Sequence, residues 1–256
     1  MNQENNRSNF PTEIVKLPSK GLVYPKENPL SSGEIEMKYM TAKEEDILTN
    51  INYIRDNTVL DKLLKSLIVS NINLDDLITE DRDALLYAAR VLGYGKDYTF
   101  RYINPNTGKE EDVTVDLTAL KEREFDGSIL TELNKNELSY KFNTSGNSIT
   151  FKFLTVNDEK DIEKELQGLK KISPTAYPEI TTRLKHLITS VNGDTNKSAI
   201  REFVDNFLLA KDSREFRKYI KTVSPGIEMK FDFVSGNYTE EGVDIPMTVN
   251  FFWPEF

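Results

Sequence analysis

The chain has 256 residues, enough for one large domain or two of ordinary size. With 38% hydrophobic and 29% charged residues, 14 Phe and 11 Tyr, it carries the apolar material for a core, which excludes wholesale disorder. The net charge of -9 repels polyphosphate and anionic lipid, and the absence of Cys excludes disulfides, thiolate nucleophiles and thiolate metal sites. Nucleic acid and membrane are therefore not expected as partners, and a reducing cytoplasm fits the cysteine usage. Met1 to Asn9 is polar, and the chain holds no run of about 18 apolar residues, so neither a signal peptide nor a membrane span is expected.

Residues 1–32 show no helical period and hold Pro11, Pro18, Pro25 and Pro29. Each proline fixes its own φ and biases the preceding residue toward extended geometry, so the segment reads as an extended N-terminal arm on a surface. Ile35, Met37 and Tyr39 then alternate with Glu36 and Lys38, the period of a half-buried strand. Thr41-Ala42-Lys43-Glu44 has the form of a capping box and opens a helix that Ile47, Ile51 and Ile54 continue. A second helix carries Leu60, Leu63, Leu64, Leu67 and Ile68 on one stripe. A third runs from about Asp81 to Leu92 with Leu85, Ala88, Ala89 and Leu92 inward, and Gly93-Tyr94-Gly95 stops it in left-handed geometry. Tyr98-Phe100-Tyr102 and Val113-Val115-Leu117, joined by Asn104-Pro105-Asn106-Thr107-Gly108, form a hairpin.

The order of elements then repeats. Ile35-Glu36-Met37-Lys38-Tyr39-Met40-Thr41 aligns with Ile149-Thr150-Phe151-Lys152-Phe153-Leu154-Thr155, and Thr155 with Asp158 forms a shorter version of the same helix cap. Leu64-Lys65-Ser66-Leu67-Ile68-Val69-Ser70 aligns with Leu184-Lys185-His186-Leu187-Ile188-Thr189-Ser190. Further on, Leu77 aligns with Leu208, Asp81 with Asp212, Leu85 with Phe216, Gly95 with Gly226, Phe100 with Phe231 and Tyr102 with Phe233. The fold class expected is α+β: two pseudo-repeated units, each a strand, about three helices and a β-hairpin, packed together because each alone is near the small end of independently stable domains. The units span 33–117 and 147–247, with a connector at 118–146 and an aromatic C-terminal tail at 248–256.

Candidate chemistry is sparse. His186 is the single histidine and lies on a helix stripe, which excludes His-pair metal sites and leaves no second imidazole for a relay. Gly93-Tyr94-Gly95-Lys96 is not a phosphate loop, because Arg90 and Asp97 stand where Walker A requires Gly and Ser or Thr. Glu44-Glu45-Asp46 and Asp158-Glu159 fall in first helical turns, where carboxylates favour the dipole. Glu110-Glu111-Asp112 falls on a hairpin strand. No cofactor and no metal are expected, and no catalytic residue is assigned. A carboxylate- or metal-dependent hydrolase or phosphotransferase is the alternative, to be tested by whether a concave pocket collects three carboxylates.

The tail Phe251-Phe252-Trp253-Pro254-Glu255-Phe256 either folds back as a last core strand or enters a partner's pocket. The alternation Val243, Ile245, Met247, Val249, Phe251 favours the core, and Pro246 puts that strand at an edge or a bulge. Arm and tail are both apolar and lie outside the repeated units. They give the expected partner-binding residues: Leu17, Leu22 and Tyr24, with Phe251, Phe252, Trp253 and Phe256.

Four stretches together resemble a known family: Leu17-Pro18-Ser19-Lys20-Gly21-Leu22-Val23-Tyr24-Pro25, Met37 to Leu48, Leu92-Gly93-Tyr94-Gly95-Lys96-Asp97-Tyr98-Thr99-Phe100, and Phe251-Phe252-Trp253-Pro254. They look like the baseplate hub and hub-assembly proteins of T4-type contractile-tailed phages. The resemblance implies a non-enzymatic role in building the central hub by binding other hub or tail proteins. It implies a location in the host cytoplasm during assembly, or in the tail baseplate of the virion. Relatives of that pattern often carry Cys-x-x-Cys pairs near the two hairpin turns. Here Asn104-Pro105-Asn106-Thr107 and Val234-Ser235-Gly236-Asn237 stand there, so hydrogen-bonded turns are expected to replace any zinc knuckle.

Overall fold

Strands and helices alternate along the computed structural model, which describes residues 11–173, 177–246 and 251–252. The class is mixed α+β: four two-stranded sheets and one three-stranded sheet, with eight α-helices among the described residues. Strand β1 (Thr12–Lys16) pairs antiparallel with β2 (Glu34–Lys38). The segment read as a surface arm thus contributes a strand and, beyond it, core residues. Its reversal needs glycine: Gly21 has φ 75°, and a Cβ there would stand 2.4 Å from the Ser31 carbonyl oxygen.

Helix α1 (Ala42–Leu48) opens as expected, the Glu44 carboxylate accepting from Thr41 N at 2.9 Å and from its hydroxyl at 2.6 Å. The continuation through Ile54 is interrupted. Asn50 accepts from the amides of Asn52 and Tyr53 and starts a separate short helix, α2 (Ile51–Arg55), whose Ile51 is 79% exposed. A local Asx cap outcompetes an apolar spacing that has no core to face. Helix α3 (Val59–Leu67) buries Leu63, Leu64 and Leu67; α4 (Thr79–Tyr94) buries Leu85 and Ala89. Gly95 ends α4 at φ 81°, ψ -179°, a conformation open essentially to glycine but not the left-handed helical one expected. Strands β3 (Asp97–Ile103) and β4 (Glu110–Asp116) form the expected hairpin. At its turn the Asn104 side chain accepts from Asn106 N and Thr107 N and donates to Glu111 at 2.7 Å.

After β5 (Glu122–Arg123), β6 (Leu138–Lys141), β7 (Ser148–Phe151) and β8 (Ile188–Val191) make the three-stranded sheet in the order β6-β7-β8. Between β7 and β8 lie α5 (Val156–Ile172) and α6 (Glu179–Leu187). Helix α7 (Lys197–Glu202) runs into a π-turn at Phe203–Phe207, and α8 (Ala210–Val223) follows. Strand β9 (Gly226–Ile227) pairs back onto β5, and β10 (Lys230–Ser235) with β11 (Tyr238–Asp244) forms a second hairpin, bulged between Phe231 and Phe233.

Aligned residues make like contacts in the two halves. Lys38 donates to Glu44 at 2.8 Å, and Lys152 donates to Asp158 at 2.7 Å. Met37 bridges Ile68 as Phe151 pairs with Ile188, and Phe100 faces Val113 as Phe231 faces Val243. Asp81 and Asp212, each the third residue of its helix and 0% exposed, grip the turns after β1 and β6. Asp81 accepts from Ser19 N and Oγ; Asp212 accepts from Thr144 N and Ser145 N, both at 3.0 Å. Differences are equally plain, since Ile68 makes a single bridge where the second half has all of β8. One contiguous apolar core takes residues from both halves, and the bonds Thr79 N to Leu154 O and Val156 N to Leu77 O stitch them together.

Candidate functional site

The residues expected to touch a partner are largely spent on the chain's own core. Leu17 and Tyr24 are 2% and 3% exposed, and Phe251 and Phe252 are 0% and 4%. The Tyr24 hydroxyl donates to Asp81 at 2.6 Å and accepts from Ile78 N at 3.1 Å. Burial, then the Asp81 charge, drives its pKa far up, so the phenol is a fixed donor. The Phe251 ring meets Tyr98 edge-on at 5.0 Å, with the Arg90 guanidinium 5.9 Å from its centroid. These four side chains present no surface to another protein in this form, because core packing satisfies the apolar demand that motivated a partner. Leu22 is half-buried, close against Gly127. Trp253 and Phe256 lie outside the described residues, as do Met247 and Val249 of the expected last strand.

The acidic runs are engaged in the fold. Burial raises the Glu44 carboxyl, but Lys38, Ser66 and Thr41 outweigh it and hold its pKa at about 2. Asp158 has the same arrangement with Lys152 and Thr155, and its pKa is lowered. Glu111 accepts from Asn104 and from Ser235 at 3.2 Å, tying the first hairpin to the second. His186 Nε2 lies 3.0 Å from Glu165, which also takes Arg201 at 3.2 Å. Glu80 is different: burial raises its pKa to about 7 although Thr79 and Ser224 hydrogen-bond it.

Two clefts remain. The larger, of about 770 Å³, opens between the halves, lined by the α2–α3 turn, the start of α4, α5 and α6. It does collect carboxylates: Asp56, Asp61, Asp83, Glu159, Glu163 and Glu179. Cations interleave them, Arg82 at 3.2 Å from Asp61, Lys160 at 3.3 Å from Asp61 and 2.5 Å from Asp75, and Arg183 at 2.6 Å from Glu159 and 3.1 Å from Glu179. Among the described residues no three His, Cys, Asp or Glu side chains are grouped so as to hold a metal ion. The arrangement is an ion-pair network joining the halves rather than a converging set of free carboxylates.

The second cleft, of about 550 Å³, lies between the hairpins. One wall is Glu111 to Asp116 of β4 with Ala119 and Leu120; the other is Lys230 to Val234 of β10. Phe100 and Tyr102 pack on Phe231 and Phe233 with centroids 4.7 to 5.8 Å apart, which fixes the two hairpins against each other. The sequence encodes both hairpins locally but not this juxtaposition. The matching β10 aromatics were its only trace. Nor did it give roles to Asp81, Asp212, Lys38 and Lys152, although the repeat alignment had already set them in register.

The geometry is that of a protein whose polar groups are spent on architecture and whose unclaimed features are surfaces. A comparison with protein families gives that class its content: the profile of the T4 bacteriophage base plate protein family matches residues 12–253, nearly the whole chain. The chain belongs to that family. No curated protein and no solved structure matches it. No helix among the described residues is long and apolar enough to cross a membrane.

Proposed function

We propose that this baseplate protein acts, without catalysis, in assembly of the central hub, binding other hub or tail proteins either as a hub subunit or as an assembly factor in the host cytoplasm. The observation that carries the reading is the family match over residues 12–253. The resemblance of the four quoted stretches to hub and hub-assembly proteins adds the hub. The non-enzymatic part is supported by the use of the conspicuous acidic residues as helix caps and ion-pair partners. Partner contact by the arm and tail rests on Leu22, Trp253 and Phe256, since the other four expected contacts are core residues.

We further infer that the two halves descend from one duplicated unit. The paired carboxylates Asp81 and Asp212, each holding the turn after a corresponding strand, support that reading.

Mass spectrometry of purified particles tests the role. A fixed stoichiometry in the particle is expected of a hub subunit. Absence from particles, with loss of hubs when the gene is deleted, is expected of an assembly factor. Normal baseplates in the deletion would remove both.

A further inference from the structure

We propose that the outer edge of β4, facing β10 across the inter-hairpin cleft, binds an extended segment of another protein whose side chains alternate between basic and apolar, taking it up as an added strand. The inference rests on the reading of the chain as a protein that binds other baseplate proteins, and it names the surface that does so.

The backbone comes first. The β3–β4 ladder is closed by Leu117 N to Lys96 O at one end and Asn104 N to Lys109 O at the other, both 2.8 to 2.9 Å. Antiparallel pairs alternate between bonded and unbonded, so in this register residues 111, 113 and 115 bond to β3. The N–H and C=O groups of Asp112 and Thr114 therefore point away from β3. Strand β4 has no neighbour but β3 among the described strands, so among the described residues these groups form a row of unmet donors and acceptors along one wall of the cleft. Such an edge is a template for a further strand.

Side chains define the guest. Val113 and Val115 are half-buried on one face of β4, and Phe231 is half-buried in the opposite wall, so alternate guest positions there meet apolar surface. On the other face Asp112 is exposed. Its cross-strand neighbour Arg101 pairs instead with Glu110 at 3.9 Å, and Lys96 pairs with Asp116 at 2.7 Å. Glu111 and Asp232 add negative charge to the walls, in which Lys230 is the one cation among the described residues. Val234, 65% exposed, supplies an apolar rim. Basic side chains on the guest are favoured by this field. A second copy of the chain is not, since pairing β4 with β4 would oppose acidic strands and both chains carry a charge of -9.

The test uses the full chain and a fluorescent synthetic peptide of alternating Val and Lys, about as long as β4, read by anisotropy. Controls are the alternating Val and Glu peptide and a Val and Lys peptide of the same composition with its lysines grouped. Thr114→Pro removes an outward N–H without breaking a ladder bond, and Asp112→Lys with Asp232→Lys reverses the field. The expected result is affinity for the alternating Lys peptide at least about tenfold above both controls. Each variant, with a wild-type thermal melt, should weaken it by about tenfold or more. No preference for alternation, or unchanged binding by both folded variants, overturns the proposal. A concentration-dependent dimer abolished by Thr114→Pro would also overturn it, by making the occupant a second copy. Failure here with hubs still dependent on the gene leaves the baseplate reading standing. Normal hubs in the deletion remove that reading whatever the peptide does.

Discussion

Asp212 is a buried carboxylate whose work is to hold two backbone amides, Thr144 N and Ser145 N, each at 3.0 Å. Replacing it by Ala strips both, and Asp212→Ala is expected to cost about 2 kcal/mol or more in urea unfolding. A change within error would show that water satisfies the turn. Glu44 and Glu80 give opposite pH slopes. Glu44 is shifted down from 4.5 to about 2, so its stabilisation is present above 4.5 and is lost as pH falls toward 2. Glu80 is shifted up to about 7, so the folded state binds its proton more tightly and stability is lost as pH rises from 4.5 through 7. Glu80→Gln should therefore stabilise the protein at pH 8 by up to about 3 kcal/mol and do little at pH 4. Thermal melts at both pH values check the sign. Lys38 and Glu44 were visible in the sequence as a strand residue and a helix cap. Their ion pair was not, because it depends on the angle between β2 and α1.

At the scale of elements, the turn after β1 and the aromatic tail show how packing overrides a reading from position in the chain. Gly21 has a positive φ and faces backbone at 2.4 Å, whereas Gly146, with φ 74°, has nothing within 4 Å. Gly21→Ala is expected to destabilise by well over about 1 kcal/mol and Gly146→Ala by about that amount, the difference reporting the steric contact. Equal losses would show that Ser31 moves aside. Phe251, fully buried on Tyr98, is expected to cost about 3 to 5 kcal/mol when cut to Ala. Deleting residues 251–256 should accordingly lower the melting temperature, and an unchanged melt with lost partner binding would return the tail to the surface. The helices and hairpins were legible because amphipathic spacing, caps and turn formers are local signals. The break at Asn50 was legible too, in hindsight of its capping type, but the apolar spacing of Ile47, Ile51 and Ile54 spoke louder.

For the whole molecule, membership of the T4 base plate protein family fixes the class, and hydrogen bonds tie its two hairpins together. Asn104 caps its own turn and reaches Glu111, and Glu111 reaches Ser235 in the other hairpin. Hydrogen bonds to the Asn104 side chain hold the first hairpin turn, and with no Cys in the chain the purified protein is expected to contain no stoichiometric zinc. Elemental analysis finding one zinc per chain would overturn this. The ion-pair network of the larger cleft and the stitching bonds at Leu77 and Leu154 make the halves one body, so a fragment ending near residue 117 would expose apolar surface from the shared core.

Composition, periodicity and aligned residues carried the α+β class, the order of elements and the family, because each is written in near-neighbour patterns or in residue identities read along the chain. Burial of the arm and of Phe251 and Phe252, the neutralised carboxylates of the inter-half cleft and the β4 edge that no described strand covers were decided by tertiary structure. Those properties depend on which surfaces meet between segments far apart in the chain, from tens of residues to more than a hundred. Tyr98 meeting Phe251, and Glu111 meeting Ser235, are contacts of that kind. No local period encodes which strand edge is left without a neighbour.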